Sequence, residues 1–256
     1  HCIAPIAPLL NALPHVIFSD NASVDGTVET IEKLVPQAKV LRHGQNLGFG
    51  AANNRALALI DTDFALLINP DCTISAASLR QLVKTADAIP DASFIGPQIV
   101  DGQGRPEVNY RWATGAWASS GPAAEGPACV GFLSGSAMLV RLSVAQPAGF
   151  FDERFFLYYE DDDLCRRYFS ARRPLVIEPR ATAQHLSRRS VGGKGKLKAE
   201  YLRGYHHAQS KLAYAEKYDG IVDALRLRRR TIWQTAASLP LRALVFSPRL
   251  LARMMG

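Results

Sequence analysis

The chain has 256 residues, 48% hydrophobic and 21% charged, which suits a soluble globular protein of one large domain with or without an appendage. Its four cysteines, Cys2, Cys72, Cys129 and Cys165, are scattered with no CxxC pair, which argues against a disulfide framework or a zinc site and fits a reducing compartment. The net charge of +7 is uneven: from Arg188 onward fifteen Lys and Arg stand against four Asp and Glu, and before it fifteen stand against nineteen. A basic tail on a mildly acidic body points to phosphate groups, of anionic lipid or of nucleic acid. No signal-peptide pattern is visible, and the chain starts at His1 rather than Met.

In chain order, residues 15–20 (HVIFSD) read as a short buried strand ending in a polar turn. Asp20 to Thr27 forms that turn, Val28 to Leu34 has helical spacing, and Ala38 to Arg42 reads as a second strand. Asn46-Leu47-Gly48-Phe49-Gly50 turns into an Ala-rich helix over 51–60. Phe64 to Ile68 is a fully apolar strand that Asn69-Pro70-Asp71 ends. Ser78 to Ala88 is helical and Ser93 to Val100 extended. This alternation predicts an α/β fold with a doubly wound, mostly parallel sheet and ligands at the strand carboxyl ends. Gly102 to Gly126, rich in Gly, Pro, Ser and Ala, reads as a long mobile loop. Val130 to Val140 resumes as a strand around Gly135, Leu175 to Ile177 is a further strand, and Lys198 to Lys217 is a helix. From Ile221 to Gly256, Arg mixes with Leu, Ile, Val and Trp233. Pro240 and Arg242 interrupt the apolar run, so the tail suits surface helices better than a membrane span: helices on a membrane, or helices packed on the body.

The run Phe151 to Arg167 carries the strongest chemical signal. Four carboxylates, Glu160 to Asp163, follow four aromatics in a five-residue window, and Arg166 and Arg167 come just after. Like charges this close need a cation or a proton-transfer task to hold them, although the positive end of a helix dipole also favours them. Asp20, Asn21 and Asp25 sit in a turn that would bind a base or ribose, or simply cap a helix. Asn46, Gly48 and Asn53 open a helix whose free amides attract phosphate. Asn69 and Asp71 end an apolar strand where Mg²⁺ or Mn²⁺ can sit between protein and phosphate oxygens. His185 offers an imidazole ligand, and Arg188 and Arg189 beside it can pair with phosphate.

Taken together, residues 20–27, 46–53, 67–71, 135–137 and 151–167 resemble the family 2 glycosyltransferases, inverting enzymes with the GT-A fold, and more narrowly their bacterial rhamnosyltransferase-like branch. The resemblance covers most of residues 1–220, which it marks as a GT-A domain, with 221–256 as a basic amphipathic helical tail. It implies that Asp20, Asn21, Asp25, Asn46, Gly48, Asn53 and Asn69 bind the nucleotide sugar, and that Asp71, in a DxD motif that begins here with Asn69, holds the metal with His185. It makes Asp161 the general base, with Glu160 and Asp163 completing the catalytic set, and gives Tyr158, Arg166 and Gly135 acceptor or supporting roles. Family members begin with an apolar strand before the helix that Ile3 to Leu13 represents; that strand is absent, so the domain reads as N-terminally incomplete.

The implied activity is transfer of a sugar, rhamnose by resemblance, from a dTDP or UDP donor to a glycan or lipid-linked acceptor, in cell wall or polysaccharide biosynthesis. The implied location is cytoplasmic, at the inner face of the membrane that the tail contacts. The alternative is a catalytically inactive sugar- or glycan-binding module of the same fold. A nucleic-acid binder is disfavoured, because no reading motif is present and the basic residues lie outside the acidic body.

Overall fold

The structure, a computed structural model, describes residues 3–115, 117–186 and 196–242. Arg188, Arg189 and tail residues 243–256 lie outside the described residues.

A 3-10 turn at Ala4–Ile6 leads into α1 (Ala7–Asn11). Strand β1 (Ile17–Asp20), helix α2 (Thr27–Leu34) and strand β2 (Lys39–Arg42) form a βαβ unit in which the strands pair in parallel. Helix α2 buries Val28 and Ile31, one stripe at three-residue spacing. Then come α3 (Phe49–Leu57), β3 (Phe64–Ile68), β4 (Cys72–Ile74) and α4 (Ala76–Ala88). Ser75 caps α4, its Oγ accepting from Ser78 N at 3.0 Å. Next are β5 (Phe94–Val100), β6 (Tyr110–Thr114), β7 (Trp117–Ser119), β8 (Ala128–Leu133), β9 (Ala137–Arg141) and the short α5 (Leu142–Ala145). The chain closes with α6 (Glu160–Ser170), β10 (Leu175–His185), α7 (Lys196–Asp219) and α8 (Ile221–Arg242).

An eight-stranded sheet runs β3-β9-β5-β10-β8-β6-β7, with β4 paired to the last residues of β10. The sheet is mixed. Strands β5 and β10 pair in parallel, while β9 lies antiparallel between β3 and β5. Strands β3, β5 and β10 therefore run the same way and end at one edge. Both faces are covered: Phe94 and Ile177 join the core beneath α6, while Ile95 and Val176 join the core beneath α4.

Strands β1 and β2 form a separate two-stranded sheet, and no strand of the described residues joins it to the larger one. Helix α3 supplies the attachment: Ser19 Oγ donates to Ala52 O at 2.8 Å.

Two expectations are corrected. The stretch 102–126 is not a loop throughout but contains the β6–β7 pair, because Tyr110, Trp112 and Trp117 pack on the core and outweigh the Gly and Pro content. Val130 to Val140 is not one strand. It breaks at 134–136 into β8 and β9, which have different partners.

Gly220 (φ +90°) separates α7 from α8. Helix α8 packs against α7 and buries Ala224 and Thr235, leaving Val222 and Trp233 exposed.

Candidate active site

Three segments meet at the carboxyl edge of β3. The first is the turn Asn69-Pro70-Asp71. The β4–β10 register sets Cys72 opposite His185, and Asp71 O accepts from Leu186 N at 2.9 Å. Asp71 Oδ1 lies 3.2 Å from His185 Nε2. That contact holds the Asp71 carboxyl below its ordinary range and raises the His185 imidazole. A cation at this point would take the place of the shared proton. One carboxylate and one imidazole, both partly open to solvent, form a donor set that fits Mn²⁺ or Mg²⁺.

The second segment is the turn 134–136. Ser136 O accepts from Asn69 N at 2.9 Å, and Gly135 N donates to Asp161 Oδ2 at 3.2 Å. Three residues thus tie the Asp71 turn to the start of α6.

The third is the loop leading into α6. Tyr158 (φ +70°) and Tyr159 (φ +65°) are consecutive non-glycine residues in the left-handed region, strain of about 1–3 kcal/mol each. Helix α7 holds them there. His207 packs on both rings, His206 stacks on Phe156 at 4.4 Å, and Ser210 Oγ donates to Leu157 O at 2.9 Å.

The acidic run divides into two pairs. Asp162 is neutralised by Arg111 at 2.5 Å, whose guanidinium lies over Phe132 and Trp117. Asp163 is fully buried and meets Lys217 Nζ (2.5 Å), Arg167 Nε (2.9 Å) and Tyr218 OH (2.7 Å). These contacts engage the Asp163 carboxylate with side chains of α6 and α7. Arg166 bonds Tyr214 OH and lies over Tyr218, so it too braces α6 against α7.

Glu160 and Asp161 have no cation within ion-pair distance among the described residues. Burial, then repulsion from Asp161, pushes Glu160 up to about 8, and burial, then Asp162, pushes Asp161 up to about 6. Both carboxyls are thus held above the ordinary range, Glu160 further than Asp161, so the pair keeps a proton more readily than free carboxylates do. Glu160 Oε2 is buried with no hydrogen-bond partner.

The residues expected to bind nucleotide fall into two groups. Asp20 is buried and accepts from Ser23 N, Asn21 Nδ2 donates to Gly48 O at 3.1 Å, and Asn46 Oδ1 accepts from Gly48 N at 3.0 Å. These four form one polar rim at the ends of β1 and β2. Asp25 is exposed and spends its carboxylate on Thr27, while Asn53 Nδ2 donates to Phe49 O within its own helix. Both therefore show local capping contacts. Asn54, not singled out from the sequence, brackets Phe151 with both side-chain atoms (2.9 and 3.0 Å) and fixes the aromatic loop to α3. Its only signal was its place beside Asn53.

The profile of Glycosyl transferase family 2 matches residues 6–173. An N-acetylglucosaminyl-diphospho-decaprenol L-rhamnosyltransferase of Mycobacterium tuberculosis is 30% identical, over 80% of this chain and 76% of that protein. Among solved structures, a Pyrobaculum calidifontis mannosyltransferase in complex with GDP-Man and Mn²⁺ superposes with a TM-score of 0.51 at 15% identity, covering 94% of this chain and 68% of that one. GalNAc-T7 with UDP, GalNAc and Mn²⁺ superposes with a TM-score of 0.54 at 13% identity over 80% of this chain, which spans 44% of that chain's length. The ordered motifs, the sheet edge where they converge and the match over two thirds of the sequence agree: this chain belongs to glycosyltransferase family 2 and has the GT-A fold.

Proposed function

We propose that the chain transfers a sugar from a nucleoside-diphosphate donor to a lipid-linked glycan acceptor, with inversion at the anomeric carbon. Asp161 carries the reading, as a partly buried carboxylate without a cation among the described residues, bonded to the same turn that binds Asn69. Asp161 accepts the proton of the acceptor hydroxyl as that oxygen attacks, and burial beside Asp162 makes it a stronger base than a free carboxylate. One displacement assisted by one base needs no enzyme nucleophile, hence inversion. Glu160 Oε2, buried without a partner, is available to a bound ligand, and Tyr158 takes the acceptor role. Asp20, Asn21, Asn46 and Gly48 hold base and ribose, Asp25 and Asn53 shape their loops, and Asn69 faces the diphosphate. Asp71 and His185 would hold Mg²⁺ or Mn²⁺, which would supply positive charge to offset that of the leaving diphosphate. The mycobacterial relative's name, with its rhamnosyl group and decaprenol-linked acceptor, supports rhamnose and a lipid-linked acceptor here, and we assign the carrier as dTDP or UDP.

Calorimetric titration of UDP and dTDP with and without Mn²⁺ tests this reading. Metal-dependent binding of one nucleotide is expected, and Asp71→Ala should weaken it at least about tenfold, ~1.4 kcal/mol. Binding that ignores both the metal and the substitution would remove Asp71 from its role.

The charge states of the acid pair set the pH dependence. Transfer should fall as pH drops through about 6, where Asp161 protonates, a limb visible in the rate profile. Stability runs the other way. Both groups have folded-state pKa values above the ordinary range, so their contribution is complete below that range and is lost as pH rises through about 6 and about 8.

We further assign residues 1–220 to the catalytic unit and α8 to a basic appendage at the cytoplasmic membrane face. No helix of the described residues is long and apolar enough to cross a membrane. Exposed Val222 and Trp233 alternate with Arg226 and Arg229 on one side of α8, an interfacial pattern. Co-sedimentation with phosphatidylglycerol vesicles, lost at high salt and absent with neutral lipid, is expected. Equal binding to both lipids would rule the assignment out.

A further inference from the structure

The metal position has a third donor that neither the family resemblance nor the cysteine spacing indicated. Cys72 follows Asp71 directly and is fully buried, and the β4–β10 ladder sets it opposite His185. A carboxylate oxygen of Asp71, Sγ of Cys72 and a ring nitrogen of His185 all lie within 4.8 Å of one another. Side chains directly opposite on an antiparallel pair stand on the same face of the ladder. Asp71 and His185 are 15% and 22% exposed, so the cluster opens to solvent through them and has the thiol as its floor.

We infer that Asp71, Cys72 and His185 form a three-donor site selective for thiophilic divalent ions such as Co²⁺, Zn²⁺ and Cd²⁺. This rests on the reading of Asp71 and His185 as metal ligands and goes beyond it. An all-oxygen or oxygen–nitrogen set favours Mg²⁺ and Mn²⁺, whereas a thiolate shifts preference toward softer ions. Donors around a four-coordinate ion with bonds of about 2.0–2.3 Å stand roughly 3.5 Å apart, so small side-chain rotations close the present spacing. Three protein donors leave a coordination position open to a diphosphate oxygen. As the sulfur–metal bond forms, the Cys72 thiol releases its proton to solvent. The consequence is a site that Mn²⁺ can use through oxygen and nitrogen, and that zinc-like ions occupy more tightly through sulfur.

The test is Co²⁺ titration of the full chain followed by absorption. A thiolate-to-cobalt charge-transfer band in the near ultraviolet should appear, persist in Cys129→Ser, and vanish in Cys72→Ser and Cys72→Ala. Cys72→Ser should also weaken Cd²⁺ binding at least about tenfold, ~1.4 kcal/mol, while leaving Mn²⁺ affinity within about twofold. Circular dichroism identifies variants that retain the fold, and either one suffices. Visible d–d absorption without the charge-transfer band would overturn the role of Cys72 and leave the Asp71 metal reading standing. A band that survives in the Cys72 variants would overturn it too. No uptake of Co²⁺ or Mn²⁺, even with a nucleoside diphosphate present, would overturn both.

Discussion

Replacing Asp161 with Asn should lower turnover by about three orders of magnitude while leaving donor affinity within a few-fold. The substitution keeps size and removes charge. One of the two amides that Asp161 now accepts, from Gly135 and Asp162, can still be satisfied, so the turn at 134–136 and its link to Asn69 should survive. Removing one of the two unneutralised carboxylates also relieves repulsion on Glu160. The fold should therefore be retained, and the loss should appear in the chemical step, because among the described residues Asp162 and Asp163 of the same helix are held by cations and the Glu160 carboxyl is pushed further toward its neutral form. Asp162 and Asp163 are bound by Arg111 and by Lys217 with Arg167. Single-turnover transfer, read beside donor calorimetry, separates the two effects. Near-normal transfer by Asp161→Asn would transfer the base role elsewhere, and a parallel loss of donor binding would make Asp161 a binding group.

Gly48→Ala should destabilise the protein by about 3 kcal/mol, close to 10 °C in Tm for a chain of this size. Gly48 has φ +86° and ψ 177°, a conformation open in practice only to glycine. A Cβ there would stand 2.4 Å from Phe156 O, the same carbonyl that accepts from Phe49 N at 3.0 Å. Backbone would have to move, and Phe156 lies two residues before the strained Tyr158–Tyr159 pair. Both stability and transfer should suffer. Gly26→Ala is the internal comparison: φ is +75°, yet the nearest atom is Glu29 Oε2 at 4.0 Å, so only the conformational cost of about 1 kcal/mol applies. Equal thermal shifts in the two variants would contradict the steric account.

The regular elements were legible because their patterns are local. The apolar runs at Phe64 to Ile68 and Leu175 to Ile177, and the turn chemistry of Asp20 to Thr27, are read within a few residues. The failures share a different cause. The β6–β7 pair lies in a Gly- and Pro-rich stretch, and only Tyr110, Trp112 and Trp117 reveal it, through packing that composition does not report. The break at Gly135 looked like a continuous strand because β8 and β9 are both apolar, although they insert at different places in the sheet. In the site, the acidic run was visible as a cluster, but its division was not. Besides Arg167, the cations that neutralise half of it come from Arg111 and Lys217, 51 and 54 residues away in sequence. Cys72 was discounted for lacking a nearby cysteine, whereas its partners are an aspartate beside it and a histidine across a ladder.

The separation of β1 and β2 from the eight-stranded sheet bears on how the molecule breathes. A continuous ladder opens as one cooperative unit, whereas two ladders joined by a helix and a few side-chain bonds can open independently. The polar rim at Asp20 and Asn21 belongs to the smaller unit, and Asp71 and Asp161 belong to the larger. Amides of residues 17–20 and 39–42 should thus exchange with solvent well before those of β5 and β10. A nucleotide spanning both units would slow that exchange, because it would supply across the gap the cohesion that backbone hydrogen bonds do not.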